Sequence, residues 1–319
     1  VTSVADIAVL SSEAVNGPQD RDKQFADVGA NRVLLEGKYL YDILDLETDL
    51  APYKLVILPD NIRLDETLAG RLRQYLKNGG KILATGESGL WADRDEFALP
   101  CGASFLGKCE YRPNYYIPQF RTVNGKTAYV MYQQGYRIAL ENGAGCPALE
   151  QDPYFNRAPE HFCSHQHTPN NPAAANPAGA LTENTAYLPW NLFTEYAEMG
   201  SFHVKELLCH VLDTLLGDEK TLTVGLPDRG VTTLMEQKEQ NRLVHHLLFA
   251  YTTNRGTKTE VIQDTIPLYH IPVSIRSERA PKAVTLEPAG EALPFAYADG
   301  KISYTVPKVD IHQMVCIQF

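Results

Sequence analysis

The hydrophobic pattern of this 319-residue chain changes its period once, at Gly217. Before that residue, short apolar runs alternate with segments whose apolar residues recur at helical spacing. After it, apolar and polar residues alternate with a period of two between turn sequences such as Asp299-Gly300. Strands that alternate with helices predict a parallel sheet, and period-two runs between turns predict an antiparallel sandwich. The sequence therefore predicts two domains, 1–217 and 218–319.

Three short apolar runs in the first third of the chain predict buried strands. They are Asp6–Leu10, Tyr53–Pro59 and Lys81–Thr85. Such runs are typical of parallel strands buried on both faces. Ala186–Leu188 predicts a later strand of the same sheet.

Three segments of this domain have helical spacing. Asp65 can cap a helix that ends at Gly79-Gly80, because a short polar side chain satisfies the first backbone N–H groups and glycine tolerates the helix end. Ser201 is placed to cap a second helix, which Gly217 ends. We also expect one helix from Asn31 to Leu44. His203 and His210, seven residues apart in the second helix, are expected to be surface or packing residues.

The alternation stops between about residues 99 and 189, where Tyr, Pro, Asn and Gly are dense. Thr168–Pro177 contains three prolines and is expected to be loop. We predict that this region is an insertion of short strands and long loops placed before the sheet is complete.

Residues 218–319 are predicted to form six to nine short strands of a β-sandwich. The alternating runs are 222–224, 243–249, 273–275, 302–306 and 311–317. His245 and His246 are adjacent on one of them, so one should face the core and the other should face solvent.

Charge and composition exclude several functions. The chain has 29 Lys and Arg and 39 Asp and Glu, a net charge of −10, and no basic stripe, so nucleic acid is not an expected partner. No apolar run is long enough to span a bilayer, so no membrane partner is expected.

The six cysteines are scattered, which excludes a small disulfide scaffold. The chain begins without Met or a signal peptide, so we expect a soluble, cytoplasmic or periplasmic piece of a longer protein.

The turn after Lys81–Thr85 is the first candidate catalytic site. With Tyr53–Pro59 and the helix after Asp65, this segment resembles the core of the flavodoxin-like, class I glutamine amidotransferase-like domain. The resemblance implies a nucleophilic cysteine on the turn, but this chain has Glu87 there, followed by Ser88. A carboxylate is a poor replacement for a thiolate, and Leu90 breaks the G-x-S-x-G pattern around the serine. We therefore expect a degenerate, non-catalytic turn.

Four potential metal ligands recur every two residues: His161, Cys163, His165 and His167. An extended segment would point all four the same way, and imidazole with thiolate suits zinc. However, neighbours on one face of a strand are about 6.5–7 Å apart, too far for all four to share one ion. A hydrogen-bonded loop or an interface is the competing interpretation. We expect no metal and no cofactor.

The order of parts is similar to the C-terminal two domains of glycoside hydrolases such as the family 42 β-galactosidases, whose middle domain is called the trimerisation domain. Relatives labelled hypothetical glycosyl hydrolase 6 carry segments resembling Pro153–Arg157, Glu160–His165 and Val309–Met314. The resemblance implies a homo-oligomeric, non-catalytic region of a β-galactosidase-like enzyme that acts on carbohydrate. It also implies that the N-terminal catalytic barrel is absent from this chain, and no residue here inherits its catalytic glutamates.

The insertion is rich in tyrosine, which is enriched at interfaces and also stacks on sugars. The candidates for interface or glycan contact are Tyr115, Tyr116, Tyr154, Asn156, Arg157, His161 and His165. Two other functions stay open: a free-standing hydrolase of amidotransferase-like fold that uses Glu87, Ser88 or the histidine segment, and a pair of carbohydrate-binding modules.

Overall fold

The computed structural model describes residues 1–17, 25–257 and 259–319. These residues divide into two compact units. The sandwich unit contains Val1–Ile7, Leu34–Asp42 and Asp218–Phe319, and the mixed unit contains Ala8–Val33 and Ile43–Gly217. One of the divisions between the units falls between Gly217 and Asp218. The sequence did not predict that two N-terminal stretches group with the C-terminal residues.

Strands outnumber helices in the described residues. The α-helices there are α1 (Ser12–Asn16), α2 (Phe25–Glu36), α3 (Glu66–Lys77), α4 (Leu192–Met199) and α5 (Phe202–Leu216). The strands there are β1 (Thr2–Ser3), β2 (Ile7–Leu10), β3 (Tyr41–Leu44), β4 (Leu55–Leu58), β5 (Lys81–Thr85), β6 (Ala103–Lys108), β7 (Asn114–Pro118), β8 (Tyr129–Met131), β9 (Tyr136–Leu140), β10 (Ala148–Pro153), β11 (Asn170–Pro177), β12 (Ala180–Leu181), β13 (Thr185–Leu188), β14 (Leu222–Val224), β15 (Gly230–Gln237), β16 (Arg242–Phe249), β17 (Thr252–Asn254), β18 (Glu260–Ile262), β19 (Leu268–Arg276), β20 (Ala283–Glu287), β21 (Glu291–Ala292), β22 (Phe295–Ala298), β23 (Lys301–Val309) and β24 (Ile311–Gln318).

The principal sheet of the mixed unit has the strand order β12-β13-β5-β4-β2-β3. Strand β5 pairs in parallel with β4 on one side and with β13 on the other. All four residues of β4 are buried, as are all four of β13, which explains why these strands read as continuous apolar runs. The pairing of the three strands is parallel, as the alternation of elements predicted.

Helix α3 begins where the sequence predicted. The Asp65 carboxylate accepts a hydrogen bond of 2.8 Å from the backbone N–H of Leu68. The predicted apolar stripe is buried: Leu68, Leu72, Tyr75 and Leu76. Gly80 follows the helix, and a Cβ there would lie 2.3 Å from the ring of Tyr75, so the tyrosine packs where only glycine fits.

The prediction of one helix from Asn31 to Leu44 is wrong. Helix α2 ends at Glu36, Lys38 has a φ of +59°, and Tyr41–Leu44 is a strand. The N–H of Tyr39 closes the helix by donating to the carbonyl of Leu34 at 3.0 Å. The apolar residues of Tyr41–Leu44 belong to a strand. Their spacing also fits a helical period, so the predicted helix was too long.

The insertion contains more regular structure than the sequence indicated. One sheet has the order β11-β10-β7-β8, and a second consists of β6 and β9. Thr168–Pro177, expected to be loop, contains β11, which pairs antiparallel with β10. Strand β11 lies at the edge of its sheet, where proline is tolerated because one side of the strand needs no donors. The loop prediction is therefore wrong for residues 170–177.

Helix α5 buries the predicted apolar face and ends at Gly217, whose φ is +52°. Ser201 stands at its start but makes no side-chain capping hydrogen bond, contrary to its expected role. The two histidines of the helix stack on aromatic rings of the insertion. The ring centroid of His203 lies 4.8 Å from that of Tyr129, and the centroid of His210 lies 3.9 Å from that of Phe120.

The sandwich prediction for the C-terminal region is confirmed. One sheet has the order β1-β15-β16-β24-β20-β21 and the other β14-β19-β23-β22. Their inward side chains form one core that includes Leu222, Leu234, Leu247, Val273, Ile302, Val315 and Ile317. Within the described part of 218–319 there are eleven strands rather than six to nine, because several span only two to four residues and show no period.

His245 and His246 face opposite sides of the sheet, as alternation requires. The buried ring of His245 lies between the hydroxyls of Thr232 and Tyr304, 2.7 Å from each. Burial lowers the pKa of His245 to about 3, so the ring is neutral in the core. His246 is only half-buried.

None of the six cysteines forms a disulfide. Among the described residues, no helix combines the length and the apolar character that crossing a bilayer would need.

Candidate functional site

The turn after β5 is held by close backbone contacts. Gly86 has a φ of +61°, and a Cβ there would lie 2.2 Å from Asn191 Oδ1 and 2.5 Å from the carbonyl oxygen of Asp60. The hydroxyl of Tyr187 donates to the carbonyl of Gly86 at 2.6 Å. Both the backbone conformation and the lack of space therefore require glycine at this position.

The Glu87 carboxylate is paired with two cations. Its oxygens lie 3.1 Å from Arg63 Nε and 3.6 Å from Lys108 Nζ. The guanidinium of Arg63 also binds Asp95 at 2.7 Å. A carboxylate held in this way has its charge compensated and is oriented by its neighbours, which suits a structural ion pair.

Ser88 is fully buried. Its hydroxyl oxygen accepts a hydrogen bond of 3.0 Å from the backbone N–H of Ile62, and its own N–H donates to the carbonyl of Thr85 at 3.0 Å. The side chain therefore joins the ends of two strands and has no path to solvent along which a substrate could reach it.

The segment from His161 to His167 is irregular and ends in bends, and it is not an extended strand. Ala158 and His161 exchange backbone hydrogen bonds of 2.9 and 3.1 Å. The Cys163 thiol points to the carbonyl oxygen of His165 at 3.5 Å, and His167 Nε2 lies 2.9 Å from the hydroxyl of Tyr132. Among the described residues, no three of these four side chains have ligand atoms within 4.8 Å of one another, and the segment is a hydrogen-bonded loop.

A different cluster of potential ligands was not found by sequence reasoning. In the described ranges, Cys109, Glu150 and Asp152 are the one group of three such residues whose ligand atoms all lie within 4.8 Å of one another. Arg137 occupies the place that a cation would take, because its guanidinium binds Glu150 at 2.5 Å and also binds Asp152. The cluster is therefore a buried ion-pair network.

Burial dominates the electrostatics of this network. It raises the pKa of Glu150 to about 7, although the charge of Arg137 acts in the opposite direction. Burial also raises the pKa of the Cys109 thiol to about 12. The amide of Asn114 donates to Glu150 and accepts a 3.0 Å hydrogen bond from the indole of Trp190, so the network continues into the core. No local pattern could have revealed it, because its members come from five separate segments.

The candidate contact residues are divided between the interior and the surface. Tyr115 and Tyr116 are buried, and the hydroxyl of Tyr115 donates to the carbonyl of Thr168, so neither ring offers a face to a partner or a sugar. Tyr154 is 59% exposed. Phe162, which the sequence analysis did not select, is 72% exposed and lies in the same segment.

The remaining candidates, Asn156, Arg157, His161 and His165, are exposed. Asn156 donates to the carbonyl of Glu110 at 2.7 Å, and Arg157 donates to the carbonyl of Gln166 at 2.6 Å. The adjacent cavity, which Asn156 and Arg157 help to line, measures about 70 Å³. That volume suits one or two water molecules and is too small for a sugar ring.

A larger groove lies on the outer side of the four-stranded sheet of the sandwich. It measures about 760 Å³ and is lined mostly by small side chains, among them Thr223, Ser274, Ser303 and Thr305. Phe295 pairs with Tyr304, whose side chain faces the core, so the ring of Phe295 lies on the other side of the sheet from these hydroxyls. Hydroxyl groups that line a groove can bind carbohydrate through hydrogen bonds.

Residues 31–109 match the sequence model of the β-galactosidase trimerisation domain. No curated protein matches the chain.

The solved α-L-fucosidase isoenzyme 2 from Paenibacillus thiaminolyticus is 38% identical to this chain, with a TM-score of 0.96. The match covers 99% of this chain and 49% of the fucosidase. The GH42 β-galactosidase from G. stearothermophilus is 15% identical, with a TM-score of 0.58 over 100% of this chain and 41% of its own.

The β-galactosidase from Bacillus circulans sp. alkalophilus is 13% identical, also with a TM-score of 0.58, over 99% of this chain and 42% of its own. Both β-galactosidases show a shared fold alone. The chain spans about half the length of the fucosidase and less of the two β-galactosidases. The expected resemblance to the trimerisation domain of GH42 β-galactosidases is confirmed.

Proposed function

We propose that this chain, whose residues 31–109 match a β-galactosidase trimerisation domain, is the non-catalytic assembly region of a glycoside hydrolase. The observation that carries the proposal is the 38% identity to the α-L-fucosidase over 99% of this chain, which takes up only 49% of that enzyme. In this proposal the sugar-cleaving barrel lies outside the 319 residues, and the chain acts by holding subunits together.

The chemistry of the turn after β5 supports a non-catalytic role. Glu87 is compensated by Arg63 and Lys108, and Ser88 is buried with its oxygen used by a backbone N–H. A nucleophile needs access and an activating base, and neither side chain combines the two. We therefore propose that this turn is structural, which argues against the free-standing hydrolase.

The proposed fold of residues 1–217 is the flavodoxin-like, amidotransferase-like domain. The parallel pairing of β4, β5 and β13, and the position of β2 next to β4, support this assignment. Five α-helices, α1 to α5, lie between or after these strands in the described part of the chain. The turn that follows β5, which begins at Gly86 with a positive φ, supports it further.

The assembly role is tested by the oligomeric state of the isolated chain. We expect a trimer in sedimentation equilibrium at micromolar concentration, because the matched family is named for that assembly. A strict monomer at all concentrations would contradict the proposal.

The exposed segment that carries Tyr154 and Phe162 is the proposed contact surface. Large apolar side chains exposed on one hydrophilic segment are typical of an interface, and these two lie eight positions apart in the chain. The double change Tyr154→Ser and Phe162→Ser should weaken self-association. Tyr251→Ser is the matched control, because Tyr251 is 52% exposed in the sandwich unit.

The catalytic part of the proposal is tested with nitrophenyl glycosides. The isolated chain should hydrolyse neither the α-L-fucoside nor the β-D-galactoside. For the full parent enzyme we propose α-L-fucosidase activity, since the relative with 38% identity is a fucosidase and the β-galactosidases share the fold alone. Activity of the isolated chain that is lost in Glu87→Ala or Ser88→Ala would overturn the non-catalytic role.

Carbohydrate binding is the second candidate function, favoured by the 760 Å³ groove on the sandwich. Retention of the chain on an immobilised glycan should then fall when Ser274 and Ser303, which are paired on the groove side of the sheet, are both changed to Ala. Tyr269→Ala is the control, because Tyr269 is exposed on the same unit and does not line the groove. Equal retention of both variants and the original chain would remove this groove as the binding site.

A further inference from the structure

Two histidines of the sandwich unit meet on the outward side of its six-stranded sheet. His246 lies on β16 and His312 on the neighbouring strand β24, which pair in continuous antiparallel register. His246 is opposite Met314 and Leu248 is opposite His312, so the histidines are diagonal neighbours. Because His245 faces the core, His246 faces outward, and His312 is exposed.

The facing ring nitrogens are closely spaced. His246 Nδ1 lies 3.0 Å from His312 Nε2, and the two ring planes are within 8° of parallel. Two metal–nitrogen bonds of about 2.0–2.1 Å, meeting at an angle between square and tetrahedral, place the nitrogens about 2.9–3.4 Å apart. The observed spacing falls in that range, so one ion beside the pair could reach both nitrogens after a modest rotation of each ring.

The backbone holds the pair in place. The two strands are joined over eight residue pairs from Arg242–Gln318 to Phe249–Ile311, and both are interior strands of the sheet. The strands therefore fix the spacing of the two Cα atoms before an ion arrives. Such preorganisation reduces the ordering that binding would otherwise require.

Each ring presents one nitrogen to the other. A neutral imidazole can carry its one proton on the nitrogen that faces away and leave the facing nitrogen bare for a metal. The exposure of His312 leaves room for water on the remaining coordination positions.

We propose that His246 and His312 form a binding site for one divalent transition-metal ion, with water completing the coordination sphere. Imidazole ligands favour zinc, copper and nickel over magnesium and calcium, which prefer oxygen. The site is independent of the assembly function and lies in a different unit from the His161–His167 segment.

The test is calorimetric titration of the untagged 319-residue chain with ZnCl₂ at pH 7.5, with MgCl₂ as the comparison ion. We expect one zinc site per chain and no magnesium binding. Each of His246→Gln and His312→Gln should weaken zinc binding by about tenfold or more, because a chelate becomes a single-ligand contact. His165→Gln and Cys163→Ser are the controls and should leave this binding unchanged.

A second readout separates loss of the site from loss of the fold. Zinc should raise the Tm of the original chain, since a ligand that binds only the folded state stabilises it. His312 is exposed, so His312→Gln should keep the zinc-free Tm and lose the zinc-induced rise. Zinc binding that survives both sandwich variants, or that is lost instead in Cys163→Ser or His165→Gln, would overturn the proposal, as would the absence of zinc binding.

Discussion

The carboxylate of Asp60 accepts hydrogen bonds of 2.7 Å from both the backbone N–H and the hydroxyl of Thr194, which is 134 residues away. Asp60 follows β4, and Thr194 lies in the first turn of α4. Asn191 stands at the usual capping position of that helix but makes no side-chain capping hydrogen bond. Helix α4 is therefore capped by a residue that only the folded sheet brings to it.

Replacing Asp60 by alanine should be costly. The change would leave the N–H groups of Phe193 and Thr194 and the hydroxyl of Thr85 without their buried acceptor. We expect the free energy of unfolding to fall by roughly 2–4 kcal/mol. Asp65→Ala is the matched control, since it removes a local cap worth about 1 kcal/mol. Equal shifts of the urea midpoint in the two variants would contradict the long-range cap.

Gly86→Ala and Gly89→Ala form a second matched pair. Both glycines have positive φ, +61° and +84°, so either alanine has a backbone cost of about 1–2 kcal/mol. The nearest atom to a Cβ at Gly89 is 3.7 Å away, whereas at Gly86 it would collide with Asn191 and Asp60. We expect Gly86→Ala to be the more destabilising by at least about 2 kcal/mol in chemical denaturation. If Gly86→Ala were no more destabilising than Gly89→Ala, the backbone of the turn would have to move enough to make room for the added Cβ.

The raised pKa of Glu150, about 7 in the folded protein against 4.5 for the free side chain, predicts a pH effect on the mixed unit. Between these values the folded state holds a proton that the unfolded chain has released. Stability should therefore fall as the pH rises from about 4.5 to 7, by roughly 1–3 kcal/mol.

Urea denaturation at several pH values, followed by a probe in the mixed unit, measures this slope. Glu150→Gln should flatten it, because the glutamine does not titrate. Glu198→Gln, which changes an exposed carboxylate, should leave the slope as it is. If the free energy of unfolding of Glu150→Gln depended on pH as steeply as that of the original chain, groups other than Glu150 would be responsible for the pH dependence.

The sandwich unit should respond in the opposite direction. The pKa of His245 is about 3 in the folded protein and 6.5 in the free side chain. Between these two pH values the ring is protonated in the unfolded chain and neutral in the folded protein. Stability should therefore fall as the pH drops from about 6.5 towards 3. His245→Asn should cost roughly 1–3 kcal/mol at pH 7 and remove this acid sensitivity.

Tyr304→Phe is the informative control for that experiment. It removes one hydrogen bond of the His245 ring and keeps the titrating group. The variant should be less stable at neutral pH and still lose stability in acid. If its acid slope disappeared as well, the slope would not belong to His245.

Elements with local signals were predictable from the sequence. Strand β4 is buried on both faces, so its sequence is a continuous run of apolar residues. Helix α3 has the capping residue Asp65 at its start and glycine after its end. The same reasoning failed at β11, because its prolines are permitted only by an edge position that depends on β10. It failed again after Glu36, where the apolar residues of a strand happen to fit a helical period.

The polar clusters could not have been predicted. Arg137, Glu150 and Cys109 lie on or beside separate strands, and His246 and His312 are 66 positions apart. The two histidines are brought together by strand pairing and the Arg137 cluster by the approach of two separate sheets, and a single sequence reveals neither. The sequence shows that Glu87 and Ser88 follow β5, but their ion pairs and burial became visible only in the structure.

The sandwich unit is discontinuous along the chain. Thr2 and Ser3 add an edge strand to it by pairing with Glu236 and Met235, and Leu40 contributes to its core. A protease cut between Gly217 and Asp218 would therefore sever the backbone without releasing a complete module. Anyone who wishes to transplant this sandwich into another protein must graft three pieces of polypeptide.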